Sequence, residues 1–263
     1  MRMAVAALVV LQGCAVARAP LSTIDAALTA KLEASPDSTG ELIYEGKVVD
    51  PEAKAQTFRY ERRVSSPTEG GSIESTHLTT EFKTNKLAVV QIAKHTAAYA
   101  VESFEVINAQ TGSHGTLFVT PSKLTPGTSK LSFTLTQGER VKTAHETATD
   151  PVVVGPTLFG FMAAHWQALD GGQSIPVRFV VTDSLATYPF TIRKLESRPG
   201  EAEFVMEGAG IVSLAVKPQH FVFDPTLKRI IRYEGRVPQR RDTDGSLSDL
   251  DARVDYTHFT DYR

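Results

Sequence analysis

The chain has 263 residues, 41% hydrophobic and 22% charged, with a net charge of -2. That balance describes a soluble globular protein with enough apolar material for a core. It lacks the basic surplus that nucleic-acid binding demands, since 28 Lys and Arg stand against 30 Asp and Glu.

The first stretch, MRMAVAALVVLQGCAVARA, reads as an export signal over 1–19. Arg2 supplies a short positive start, and Ala4 to Leu11 form an apolar run too short to cross a bilayer as a permanent helix. Two cleavage readings compete. Leu11-Gln12-Gly13-Cys14 resembles the lipobox of bacterial lipoproteins, in which the cysteine is diacylated and becomes the first mature residue. Ala15-Val16-Ala17 or Ala17-Arg18-Ala19 would instead suit an ordinary signal peptidase, although Pro20 makes the second a poor site. Cys14 is the only cysteine, and it falls where a lipobox needs it, which favours lipidation. Several acyl chains burying methylenes at about 0.8 kcal/mol each would tether the protein to a membrane without spanning it. Ala15 after the cysteine, in place of aspartate, resembles outer-membrane sorting, so the expected location is the periplasmic face of an envelope membrane. With no second cysteine there is no internal disulfide, and the fold must hold by its core alone.

Residues 20–263 read as one domain, because no linker-like stretch divides them. LSTIDAALTAKLEASPD predicts a short N-terminal amphipathic helix: Ser22 with Asp25 resembles a capping box, and Ile24, Leu28 and Leu32 share a face. From Glu41 the period changes to two. Phe58–Ser65, Gly71–Thr80, Lys130–Thr136, Val177–Thr182 and His220–Asp224 are short, β-branched or aromatic segments bounded by turn residues. Turn chemistry recurs at hairpin spacing, as in Pro67 to Gly71, Thr111-Gly112-Ser113, Pro126-Gly127, Pro199-Gly200, Asp224-Pro225 and Asp244-Gly245. One helix interrupts the strands over Gly155–Gly172, with Thr157 placed to cap it and Leu158, Met162, Trp166 and Leu169 on one face. The expected fold class is α+β, mainly β: a curved antiparallel sheet, half-barrel or open barrel, with one central helix near 157–170 in its concavity.

Catalytic signatures are missing. The chain has no G-x-S-x-G elbow, H-E-x-x-H, P-loop or G-x-G-x-x-G, and its seven histidines show no i, i+4 pairing. RRDTDGSLSDLD fails as a calcium loop, because Arg240 stands where the first carboxylate ligand belongs, and reads as an Asp-Gly hairpin turn. No metal or other cofactor is expected, and a binding protein is expected in preference to an enzyme.

Two near-copies of one strand, LIYEGKVVD from Leu42 and IRYEGRVPQ from Ile231, alternate in the same way. Tyr44, Gly46 and Val48 share one face, as do Tyr233, Gly235 and Val237. If the copies pair antiparallel, Glu45 faces Arg236 and Lys47 faces Glu234. An inward glycine marks a bulge or a close approach, here expected from the helix carrying Trp166.

Tyr44-Glu45-Gly46, Tyr60-Glu61-Arg62, the helix from Phe161 through Trp166 to Leu169, FDPTLKRIIRYEG from Phe223 to Gly235, and Tyr256 together resemble an uncharacterised family of exported, lipoprotein-like proteobacterial proteins. The resemblance implies no activity, and Gln167 and Ala163 stand where that family's helix carries an aspartate and a basic residue. The strand-rich layout with an internal helix also resembles, at the level of fold, the half-barrels of the lipoprotein-carrier (Lol) group, whose concave faces accept acyl chains. That resemblance implies a hydrophobic or lipid-like ligand in a concavity lined by Tyr44, Gly46, Phe133, Phe159, Met162, Trp166, Phe179, Phe221, Tyr233 and Gly235. The alternative is an envelope scaffold that docks another protein.

Overall fold

The structure, a computed structural model, describes residues 41–261. The export signal, Cys14 and the expected N-terminal helix lie outside the described residues. Strand β1 spans Glu41–Asp50, β2 Ala55–Ser65, β3 Ile73–Glu81, β4 Leu87–His95, β5 Val101–Asn108, β6 Ser113–Pro121, β7 Ser129–Gln137 and β8 Arg140–Ala148. After a two-residue β9 (Val152–Val153) come an inner helix, Gly155–Ala164, and a short helix, Trp166–Asp170. The chain then resumes with β10 (Ile175–Val181), β11 (Ala186–Lys194), β12 (Ala202–Gly208), β13 (Gln219–Asp224), β14 (Arg229–Thr243) and β15 (Ser246–Asp261). Every segment read as a strand from its period-two pattern falls on one, although β10 and β13 do not bury strictly alternate side chains: β13 buries Phe221, Val222 and Phe223 in succession. In β2, by contrast, Phe58, Tyr60, Arg62 and Val64 point inward between more exposed neighbours.

The fifteen strands of the described residues form one sheet, ordered β8 to β1 and then β15 down to β9, so chain neighbours pair except β8 and β9, which are its two ends, and β1 is joined to β15. The pairs are antiparallel except β9 with β10. The predicted turns make hairpins: Asp244 and Gly245, with φ of 52° and 83°, turn β14 into β15. The two sheet ends approach each other, and side chains instead of a strand ladder bridge the gap. Glu146 of β8 accepts from Arg178 Nη2 of β10 at 2.5 Å and from Thr187 N of β11 at 2.8 Å. Gly115 of β6 packs so tightly on Thr182, just after β10, that a Cβ there would stand 2.6 Å from the threonine Cβ. The result is a nearly closed, barrel-like sheet around the inner helix.

That helix is apolar on every side, with Pro156 to Met162 all buried, as a helix inside a sheet must be. Two details correct the sequence reading. Val154 occupies the N-cap position, and Thr157 sits three residues on, where its Oγ1 accepts from Val154 N at 3.2 Å. The expected single helix is also two, broken at His165. There the backbone leaves helical geometry (ψ 18°), while the ring Nδ1 donates to Phe161 O at 2.9 Å. Ring and backbone N–H of His165 thus converge on one carbonyl, and the chain turns before Trp166.

The two Y-E-G strands do not pair with each other. β1 and β14 both pair with β15, one on each side, so the expected contacts of Glu45 with Arg236 and Lys47 with Glu234 do not form. Lys47 instead lies opposite Asp255, and Glu234 opposite Arg253. β15 is itself rich in complementary charges, so it serves both copies. The glycines mark close approaches as expected, but not of the helix. Gly46 sits at a bulge, where a Cβ would lie 3.1 Å from Asp255 O of β15. A Cβ on Gly235 would lie 2.9 Å from the Tyr233 hydroxyl, which donates to Gln219 Oε1 at 2.9 Å and approaches Arg236 O at 2.6 Å.

Candidate functional site

Most residues expected to line a concave pocket fill the interior instead. Phe133, Met162 and Phe221 are at most 1% exposed. Trp166 packs edge-on against Phe204 and Phe223, with ring centroids 5.1 and 5.8 Å away, and half-buried Phe179 meets Phe190 at 5.9 Å. The inner helix occupies the space that an acyl chain would need. Tyr233 and Gly235 are committed to the hydrogen-bonded corner with Gln219 described above.

Tyr44, Gly46 and Phe159 belong to a different arrangement. The registers of β1 to β4 set Tyr44, Arg62, His77 and Gln91 side by side in one row. The next row runs Tyr256, Gly46, Tyr60 and Thr79. Because Gly46 has no side chain, the rings of Tyr60 and Tyr256 close over it, edge to face at 5.3 Å. Phe159 reaches down from the inner helix and contacts Tyr256 at 5.7 Å and His77 at 6.0 Å.

Inside this aromatic enclosure lies a cation. Arg62 is 3% exposed, and its guanidinium sits 5.0 Å from the centre of the Tyr44 ring and 5.7 Å from that of Phe159. Its one hydrogen bond among the described residues runs from Nη2 to Pro156 O at 3.5 Å, the outer limit for such a bond. The buried Arg62 Nε has no hydrogen-bond partner, and the Tyr60 hydroxyl and His77 Nε2 make no bond within 3.5 Å, although the Tyr256 hydroxyl and the Gln91 side chain stand close enough to Tyr60 and His77 to act on their titration. Cation–π contacts contribute about 2 kcal/mol each when desolvated, whereas burying an unpaired ion costs several kcal/mol, so the two rings offset only part of the penalty. Burial, reinforced by Arg62, pushes His77 well below the ordinary histidine range and keeps it neutral. Burial also drives the Tyr60 hydroxyl upward against the opposing pull of Arg62, so it remains a protonated donor.

Elsewhere, charges in the structure close on one another. Asp50, 1% exposed, takes a two-pronged contact from Arg241 at 2.7 and 3.0 Å. Burial alone would raise its pKa, but Arg241 and the backbone N–H groups of Glu52 and Ala53 outweigh that and hold it below 3.8. Buried Ser75 and His95 are likewise satisfied: the two side chains meet at 2.9 Å, and His95 Nδ1 donates to Thr96 O at 2.8 Å. That pair has the order of a nucleophile and base, yet both residues are sealed from solvent with Tyr99 stacked on the imidazole at 4.9 Å. Among the described residues, no three His, Cys, Asp or Glu side chains gather as a metal site requires.

On the outer side of Tyr44 and Tyr256 opens a cleft of about 270 Å³, lined also by Ile230, Phe259, Arg229 and His258. Phe259 packs on Tyr44 at 4.9 Å, and Arg229 lies over the Phe259 ring at 4.5 Å. The two tyrosines therefore stand between an open cleft of mixed polar and apolar lining and the enclosed cation. Sequence reasoning missed Tyr60, Arg62, His77 and Tyr256 as members of a site. The available signal was Arg62 itself, an arginine at an inward position of F-R-Y-E-R-R-V, between Tyr60 and Val64.

The class defined by this geometry is a mainly β, barrel-like protein with an internal helix. The solved structures it is similar to include a beta-barrel-like protein of a domain of unknown function, DUF1849, from Brucella abortus: 7% identity, 85% of this chain and 97% of that chain covered, TM-score 0.39. A further match, to an inactive mutant of the CurK dehydratase, has 10% identity over 93% of this chain and 85% of that one, with a TM-score of 0.11. No family model matches the chain, and no curated protein matches it. Among the described residues, no helix is long and apolar enough to cross a membrane.

Proposed function

We propose that this is an exported cell-envelope protein, lipid-anchored through Cys14, that binds a hydrophobic or lipid-like ligand and carries out no chemistry on it. The observation that supports ligand binding is the cleft where β14, β15 and β1 meet. Its lining is mixed: Tyr44, Ile230, Ile231, Tyr256 and Phe259 supply apolar surface beside Arg229, Thr257 and His258. Its 270 Å³ is near the lower end of ligand pockets, which run from roughly 300 to 1,000 Å³, so it suits one ring or the end of a chain. The proposed binding position is thus the seam beside the first Y-E-G strand and not the concave face. The alternative, a scaffold that docks another protein by strand addition, has less support, since the edge strand β8 carries Arg140, Lys142 and Glu146 and such charges discourage pairing.

Two experiments test this reading. The full chain bearing Cys14→Ser, purified without harsh detergent and extracted for mass spectrometry, is expected to yield an apolar ligand in near-stoichiometric amount. A ligand-free protein that also fails to displace a fluorescent alkyl probe would overturn the binding role. The anchor is tested by feeding labelled palmitate to cells: label is expected on the wild-type chain and absent from Cys14→Ser, and persistent labelling of the variant refutes it.

A further inference from the structure

The other buried or half-buried charges described above have a counter-charge. Asp50 has Arg241, and half-buried Glu146 has Arg178. Arg62 alone among them is enclosed without a carboxylate, beside a tyrosine hydroxyl and an imidazole nitrogen that make no hydrogen bond within 3.5 Å. The three are neighbours by construction. Arg62 and Tyr60 are two residues apart on the inward face of β2, so they lie within about 7 Å along the strand. His77 stands directly opposite Arg62 on β3, and its ring lies 5.0 Å from that of Tyr60.

We propose that Arg62, Tyr60 and His77 form a buried oxoanion site that holds the acidic head, carboxylate or phosphate, of an amphiphilic ligand. The apolar part of that ligand lies in the cleft beyond Tyr44 and Tyr256. The proposal rests on the ligand-binding reading above and specifies the chemistry of the ligand. A guanidinium edge offers parallel N–H donors matched to two oxygens of a carboxylate or phosphate, and Nε, the donor on that edge, is the Arg62 atom left unpartnered. The Tyr60 hydroxyl supplies another donor, and the neutral His77 presents Nε2 as a donor or an acceptor according to its tautomer. Entry requires only that the tyrosine wall give way. Tyr44 and Tyr256 line the cleft on one side and contact Arg62 and Tyr60 on the other. Rotation of either ring would bring the cleft into contact with the Arg62 guanidinium.

The test measures binding of three probes, decanoate, decanol and inorganic phosphate, to the full chain bearing Cys14→Ser, alone and with Arg62→Met or Tyr60→Phe. Decanoate is expected to bind about tenfold or more tighter than decanol, the size of a hydrogen bond to a charged group. Arg62→Met is expected to abolish that preference, and Tyr60→Phe to weaken decanoate more than decanol. Should Arg62→Met fail to fold, the Tyr60→Phe result decides. Equal affinity for decanoate and decanol overturns the anion site and leaves the apolar reading intact. An Arg62-dependent response to phosphate, with none to either decyl probe, supports the anion site and refutes the apolar reading. Silence with all three probes overturns both.

Discussion

The two sides of the inner face bury different chemistry under the same helices. From β10 to β13 the interior is Val177, Phe190, Ile192, Phe204, Phe221 and Phe223, closed by Trp166. From β2 to β4 the same inward positions hold Tyr60, Arg62, Ser75, His77, Thr79 and His95. The first side is held by area removed from water. The second is only as stable as its polar groups are satisfied, and they are satisfied unevenly. Ser75 pairs with His95, and Thr79 accepts from Gln239 Nε2 at 2.5 Å across the barrel. Arg62, Tyr60 and His77 are left incomplete.

Mutations should separate the two sides sharply. Phe204→Ala removes a fully buried ring on the apolar side and is expected to cost about 3–5 kcal/mol in a urea titration. A loss below about 1 kcal/mol would mean the aromatic packing is looser than described. Arg62→Met should act in the opposite sense. Replacing an unpaired buried ion by an apolar side chain of similar length is expected to stabilise the ligand-free protein by about 1–4 kcal/mol. A destabilised variant would show that Arg62 is a structural strut.

Acid should also weaken the polar side first. His77 and His95 are both held below 6.5, chiefly by burial. The unfolded chain protonates them near that value while the folded protein resists, so stability is complete above pH 6.5 and declines as the pH falls through it. The expected slope is about 1.4 kcal/mol per pH unit for each histidine once the unfolded forms are protonated. His77→Phe should remove its share of the slope between pH 6.5 and 5, and an unchanged slope would contradict the assignment. The smallest effect concerns the Y-E-G glycines. Gly46→Ala places a methyl 3.1 Å from Asp255 O and 3.3 Å from a Val254 methyl, a contact the bulge must yield to accept. The expected cost is about 1 kcal/mol, and a stabilised variant would deny that Gly46 sets the spacing between β1 and β15.

Much of this architecture was legible before the coordinates. Alternation of Phe58, Tyr60, Arg62 and Val64, with turns such as Asp244-Gly245, carries both strand identity and register, because a side-chain period of two admits one burial phase. Pairing between distant strands is not local. Nothing in LIYEGKVVD or IRYEGRVPQ says that β15 will lie between them, since Glu and Lys or Arg are complementary to many partners. The site was legible in fragments. Tyr44 and Phe159, inward aromatic residues in the sequence, stand over the Arg62 guanidinium, and Gly46 lies in the neighbouring row. Phe133, Met162, Trp166, Phe179 and Phe221 were grouped with them because pockets and cores use the same side chains, and only the position of the inner helix distinguishes the two. The break at His165 was hidden for a different reason. A ring reaching back to Phe161 O depends on a rotamer, which periodicity does not encode.

¹³C NMR of carboxyl-labelled decanoate tests the proposed anion site at Arg62 most directly. Titrated into the full chain bearing Cys14→Ser, the label is expected to show a bound, ionised carboxylate resonance distinct from free ligand, and Arg62→Met is expected to erase it. A bound resonance that is the same with and without Arg62 would contradict the account.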